Sequence, residues 1–136
     1  NTQMQPAAAE ADTQQQQADI ISLEQELIQT VRNWASHWSN KDFNAYADAY
    51  SKTYKGKQGS HQAWLEYRRT RIQRPGRLKV TLSNIHIKSR NANNAIIDFD
   101  QSYQSATYRD KIRKRINLTY TDKGWKISRE RTLAVL

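Results

Sequence analysis

The side chains best equipped for chemistry in this sequence are three histidines, two nearby aspartates and a run of alternating cations. His37 stands beside Trp38, His61 follows Ser60, and His86 lies between Ile85 and Ile87. Proton transfer needs a base within hydrogen-bond reach of the reacting atom. No histidine has an aspartate placed to orient it, and no serine has a visible base, so no catalytic residue is assigned. Asp98 and Asp100 share one parity of an alternating segment. Two carboxylates without histidine or further oxygen ligands hold a metal poorly, so no metal site is expected. The absence of cysteine excludes disulfides, thiolate metal sites and a cysteine nucleophile. The four glycines are scattered among turns and make no phosphate loop, so no cofactor is expected.

The cations are more distinctive. Arg109, Lys111, Arg113 and Arg115 alternate, which on a strand places them on one face about 6.6 Å apart. Arg68, Arg69, Arg71, Arg74, Arg77 and Lys79 add to them. The net charge is +9 and unevenly spread: residues 1–48 sum to −5 and residues 49–136 to +14. One reading is a docking surface for an acidic partner, a cell-wall polymer or a second subunit. The other is a solvated face paired across strands with Asp98, Asp100 or Glu130. Nucleic acid is the less favoured partner, because no aromatic residues interleave with these cations as stacking platforms.

A ligand cavity would draw on Tyr50, Tyr54, Trp64, Tyr67, Phe99 and Tyr103, with Arg71 and Gln101 as polar groups, although aromatic residues at these spacings more often fill a core. Arg129 shares parity with Trp125 and Ile127. Pointing inward, it would need a partner such as Glu66 or an acidic ligand, since a lone buried charge is costly.

These residues need elements to hold them. Residues 1–18, rich in Gln and Ala, read as a disordered linker whose later part tolerates helix. From 19 onward the chain reads as one domain. Ile20, Leu23, Leu27, Val31, Trp34 and Trp38 form the stripe of an amphipathic helix. A second helix reads from Asp42 to Tyr54, and a third follows the Ser60 cap and ends at Pro75-Gly76. The period then becomes two. Leu78, Val80 and Leu82 alternate, and Ile85 and Ile87 follow in the opposite phase, which predicts a bulge. Asn91–Asn94 and Thr121–Gly124 read as turns between strands. The expected class is α+β, with three N-terminal helices on a curved antiparallel sheet of about four strands.

The passage VRNWASHWSNKDFNAYADAYS, the segment GSHQAWLEYRRTRI and the closing hairpin TDKGWKISRERT resemble the nuclear transport factor 2-like superfamily, over about residues 20–135. That resemblance implies a cone-shaped fold with a cavity between helices and sheet, in which some relatives are isomerases or cyclases. The run from Trp64 to Gly76 is similar to the accessory domain of bacterial L,D-transpeptidases and cell-shape-determining carboxypeptidases. This implies a non-catalytic module of the periplasm or cell envelope, carried on a longer exported chain, with a homodimer through the sheet as one arrangement. No apolar run approaches the roughly 20 residues that span a bilayer. The start has neither an initiator Met nor the pattern of a signal peptide, which fits a fragment.

Overall fold

The structure, a computed structural model, describes the backbone of residues 4–136 and the side chains of residues 9–136. Three helices precede four strands: α1 Met4–Ser39, α2 Phe43–Asp48, α3 His61–Ile72, β1 Leu78–Arg90, β2 Asn94–Ser105, β3 Arg109–Thr121 and β4 Gly124–Val135. The strands pair antiparallel in sequence order, so each bends back on its neighbour through a short turn. The α+β class read from the alternation is the class observed.

Helix α1 is where local preference and packing part company. Leu27, Val31, Trp34, Ala35 and Trp38 bury their side chains against the sheet. Ile20 and Ile21 begin the same stripe but stay exposed, because the helix has already passed beyond the sheet there. The disordered linker expected over residues 1–18 is helical from Met4 onward. Ala and Gln are good helix formers and nothing interrupts the helix, so propensity extends it without a core to rest on. Residues 9–19 are indeed all exposed, and residues 1–3 of that segment lie outside the described residues.

Helix α2 is shorter than its sequence suggests. Asp42 caps it by accepting from the Ala45 amide, but it stops at Asp48 rather than Tyr54. The backbone is taken over by the sheet: the Ile127 amide donates to the Ala49 carbonyl at 2.8 Å, and the Ser51 amide donates to the Ile127 carbonyl at 2.9 Å. This bridge swings Tyr50 inward. Helix α3 begins at the expected Ser60 cap, whose hydroxyl accepts from the Ala63 amide.

Register shifts interrupt both β1 and β4, and two of them bear on the site. The phase change in β1 appears as a register shift between Ser83 and His86, with Asn84 at a positive φ of 53°. A second shift lies in β4, where Ile127 faces Leu118 but Arg129 faces Asn117, leaving Ser128 as the extra residue. Beyond Ser128 the inward parity changes from odd to even residues. Gly76, at φ +106°, turns the chain from α3 into β1 so close to β2 that an added Cβ would lie 3.1 Å from the Ala106 methyl.

The core lies between α1, the two shorter helices and the concave sheet face. Phe99, Ile97, Ile116, Leu118, Trp125 and Ile127 meet Trp34, Tyr46 and Trp64 there. Ser39, at the end of α1, fastens the helix to the free edge of β1: its hydroxyl accepts from the Val80 amide at 2.8 Å and donates to the Val80 carbonyl at 3.2 Å. Replacing Ser39 by Ala should therefore destabilise the fold by about 1 to 2 kcal/mol, since it strands both groups. Ile21→Ser should change stability by no more than about 0.5 kcal/mol. Urea unfolding of the two variants checks the contrast.

Candidate functional site

β3 presents its apolar parity inward, and one residue on that parity is a lysine. Lys114 stands between Ile112 and Ile116, with its side chain only 8% exposed. The Ser128 bulge turns Glu130 to meet it. Lys114 Nζ donates to Glu130 Oε2 at 2.5 Å, beneath the rings of Trp34 and Trp38, whose centroids lie 5.5 and 5.4 Å from the ammonium. The pair is roofed by aromatic faces whose quadrupoles favour a cation.

A chain of tyrosines extends from the carboxylate. Tyr50 donates its hydroxyl to Glu130 Oε1 at 2.5 Å. Its oxygen also accepts from Trp34 Nε1 at 3.0 Å and lies 3.1 Å from the Tyr46 hydroxyl. Tyr46 in turn accepts from Arg68 Nε at 3.1 Å. The ionised carboxylate only accepts and the guanidinium only donates, so the order is Arg68 to Tyr46 to Tyr50 to Glu130. Burial raises the Glu130 carboxyl pKa, but the charge and hydrogen bond of Lys114 and the Tyr50 hydroxyl outweigh it, and the net shift is downward. Burial pushes Tyr46 up to about 12 and Tyr50 well above the ordinary phenol value, with the Glu130 charge adding to both. Both phenols therefore stay neutral.

Two cavities open on either side of this network, and Trp38 and Arg68 line both. The α2–α3 cavity, about 790 Å³, has Lys114 and Glu130 among its lining and Tyr54, Trp64 and Tyr67 on its helical side. The α3–β1 cavity, about 720 Å³, is walled by Trp38 and Tyr103, whose rings lie 5.6 Å apart, and rimmed by Arg71, Arg74 and Arg77. Arg68 separates the two, its guanidinium 5.2 Å from the Trp38 ring and 5.5 Å from that of Tyr46.

The residues expected at a cavity divide between these places. Tyr54, Trp64, Tyr67 and Arg129 border the α2–α3 cavity, and Arg71, Gln101 and Tyr103 the α3–β1 cavity. Tyr50 lines neither and is fully embedded in the hydrogen-bonded chain. Arg129 is exposed, because the Ser128 bulge assigns it the outward parity and gives the inward one to Glu130. It has no Glu66 partner.

On the strand face, two of the four expected docking cations are already paired. Arg113 donates to Asp100 at 2.9 Å, and Arg115 grips Asp98 through Nε and Nη2 at 2.7 and 2.8 Å. These hydrogen bonds hold both carboxyls below the usual range. Arg109 and Lys111 have no such partner among the described residues. Around the α3–β1 cavity the balance differs: none of Arg68, Arg71, Arg74 and Arg77 has a carboxylate within 4.0 Å among the described residues. The sequence reading missed Lys114, although its place on the parity of Ile112 and Ile116 marks it, and it placed Glu130 on the outer face.

Three helices folded over a strongly bent antiparallel sheet, with cavities between the layers, define an NTF2-like domain. The chain belongs to the family of the Cds6 C-terminal NTF2-like domain, whose model matches residues 26–131. No curated protein matches it. Among solved structures it is similar to Bd1075 of Bdellovibrio bacteriovorus, at 25% identity and a TM-score of 0.73 over 82% of this chain and 40% of that one. It is also similar to a mutant form of the helical cell shape determining protein Pgp2 of Campylobacter jejuni, at 20% identity and a TM-score of 0.68 over 77% and 39%. The chain thus spans about two-fifths of the length of these two proteins. A candidate dehydratase of the NTF2-like family from Streptomyces avermitilis matches at 11% identity and a TM-score of 0.70, over 82% of this chain and 95% of that one.

The buried pair predicts a specific pattern of stability. Lys114→Met leaves Glu130 uncompensated and should cost about 3 to 5 kcal/mol, while adding Glu130→Gln should restore most of it. Urea unfolding of the single and double variants measures this. Acid provides a second check. Asp98, Asp100 and Glu130 all have lowered native pKa values. Their stabilisation is present above the unfolded values, about pH 4 to 4.5, and is lost as pH falls through the native ones. Stability at pH 6 should therefore exceed that at pH 3, and the double variant should show a shallower loss.

Proposed function

We propose that this domain is a non-catalytic binding module of a bacterial cell-envelope protein, which docks anionic groups of peptidoglycan in the α3–β1 cavity. The observation that carries this reading is the contrast between the two sets of charges. The carboxylate at the centre, Glu130, has one oxygen on Tyr50 and the other on Lys114, and is held ionised. A carboxylate so occupied and so weakly basic offers little as a proton acceptor. The guanidinium groups at the cavity rim carry no carboxylate partner among the described residues, and so remain available to a ligand anion. The likeness to Bd1075 and to Pgp2, a cell shape determining protein, supports the envelope setting. No described helix is long and apolar enough to cross a membrane.

A second reading, a small-molecule cavity enzyme, draws on one carboxylate. Asp110 accepts from the Tyr108 hydroxyl at 3.1 Å through Oδ2, while its Oδ1 is buried without a partner among the described residues, and Asp110 lines the same cavity. A free carboxylate oxygen is what a general base requires.

Pull-down of the chain on purified sacculi and on RNA, at low and high salt, tests the first reading. Sacculi should retain the chain at low salt and release it at high salt. The triple variant Arg71→Ser, Arg74→Ser, Arg77→Ser should lose roughly tenfold in retention, because each removed contact is charge-assisted. Arg109→Ser with Lys111→Ser should change it little. Retention on RNA but not on sacculi would overturn the reading, and so would turnover of a small ketone or hydroxy substrate that Asp110→Asn abolishes.

A further inference from the structure

Four buried side-chain polar atoms lack a hydrogen-bond partner among the described residues: Trp38 Nε1, Gln101 Oε1, Asp110 Oδ1 and Trp125 Nε1. Three of the four belong to residues that line the α3–β1 cavity. That concentration is the opposite of what folding alone favours. Buried polar atoms are nearly always satisfied, and each orphan carries the full penalty of its lost water. Gln101 is the clearest case. It is 3% exposed, on the inward parity between Phe99 and Tyr103, and its Oε1 accepts no hydrogen bond among the described residues. An apolar residue of the same shape would suit that position better if the cavity stayed empty.

The unsatisfied groups have a definite polarity. Trp38 supplies a donor, while Gln101 and Asp110 supply acceptors, one of them charged. Around them stand Arg68, Arg71, Arg74 and Arg77, which are donors only. A simple anion would satisfy the arginines and Trp38 but leave both acceptors unmet, and would be repelled by Asp110. The occupant that meets every group carries a carboxylate together with N–H donors. The wall is also aromatic: Trp38 and Tyr103 lie 5.6 Å apart, and Tyr103 and Tyr108 lie 6.2 Å apart. Such a surface can receive small aliphatic side chains.

We infer that the α3–β1 cavity is a subsite for the end of a peptide, in which the arginines and Trp38 take the free carboxylate while Gln101 and Asp110 take the neighbouring N–H groups. This rests on the docking reading above and narrows it from any anion to a carboxylate flanked by N–H donors.

The test uses the whole chain, labelled with ¹⁵N, and four probes: alanyl-alanine, its C-terminal amide, its N-acetyl form, and acetate. Alanyl-alanine should shift the indole N–H resonance of Trp38, assigned by its loss in Trp38→Phe, and the side-chain amide of Gln101. Amidation of the carboxylate should weaken binding about tenfold or more, and N-acetylation should weaken it by a smaller factor, since hydrogen bonds to charged groups are the strong ones. Gln101→Leu should bind alanyl-alanine roughly tenfold more weakly while melting at the same or a higher temperature, a pairing that a merely structural glutamine would not give. Asp110→Asn should narrow the gap between alanyl-alanine and its N-acetyl form.

Equal binding of all the carboxylate probes, acetate included, with no effect of Gln101→Leu or Asp110→Asn, would overturn the peptide-end subsite and leave anion docking standing. Failure of alanyl-alanine to shift either resonance while acetate does shift them would do the same. Failure of every probe, together with loss of sacculus retention, would overturn both. The relative affinities of the four probes for the unsubstituted chain need no variant, so they decide the question even if a substitution disturbs the fold.

Discussion

The constraint on which this domain turns is the burial of one ion pair. An ammonium and a carboxylate taken out of water lose several kcal/mol of hydration each, and only close geometry with every remaining lone pair occupied offsets this. Lys114 and Glu130 meet those terms. Their contact is 2.5 Å, the second carboxylate oxygen is filled by Tyr50, and two tryptophan rings face the ammonium. These partners come from four parts of the fold: Lys114 from β3, Glu130 from β4, Trp34 and Trp38 from α1, and Tyr50 from just after α2. The pair therefore ties the layers to one another in a single arrangement, a specifying role that nonspecific apolar packing performs less well.

Several irregularities follow from that requirement. Glu130 faces inward only because Ser128 is inserted as a bulge, and Tyr50 reaches it only because α2 ends early to bridge with Ile127. Arg68 ends the hydrogen-bonded chain, and its stacking on Trp38 and Tyr46 divides the interior into two cavities rather than one. The same side chain thus belongs both to the structural network and to the walls of the candidate site.

The distribution of cations shows why formal charge is a poor guide to a docking surface. Arg113 and Arg115, conspicuous in the alternating run, are satisfied by Asp100 and Asp98 across the β2–β3 ladder, each pair in register. The arginines of α3 and the turn after it are less regular in sequence, yet among the described residues none forms an ion pair within 4.0 Å. Which cations are free depends on which carboxylates stand opposite, and that is a property of strand register.

Much of the architecture was legible in the chain. The α1 stripe from Leu27 to Trp38, the Ser60 cap, the change of period after Pro75, the β1 bulge and the Asp122-Lys123 hairpin all rest on interactions between residues close in sequence, which local patterns encode. The inward face of β2, including Gln101 beside Phe99 and Tyr103, followed from alternation alone. The features that failed to appear were the early end of α2, the parity change at Ser128, the inward Glu130 and the two separate cavities. Each depends on a partner in a distant segment: Ala49 with Ile127, Glu130 with Lys114 and Tyr50, Arg68 with Trp38. Composition and periodicity by themselves determined a basic α+β domain with helices first and sheet second. Only the tertiary structure decided which charges are neutralised, which are buried and which polar groups are left waiting, because a hydrogen bond or ion pair between segments is set by register and distance in space.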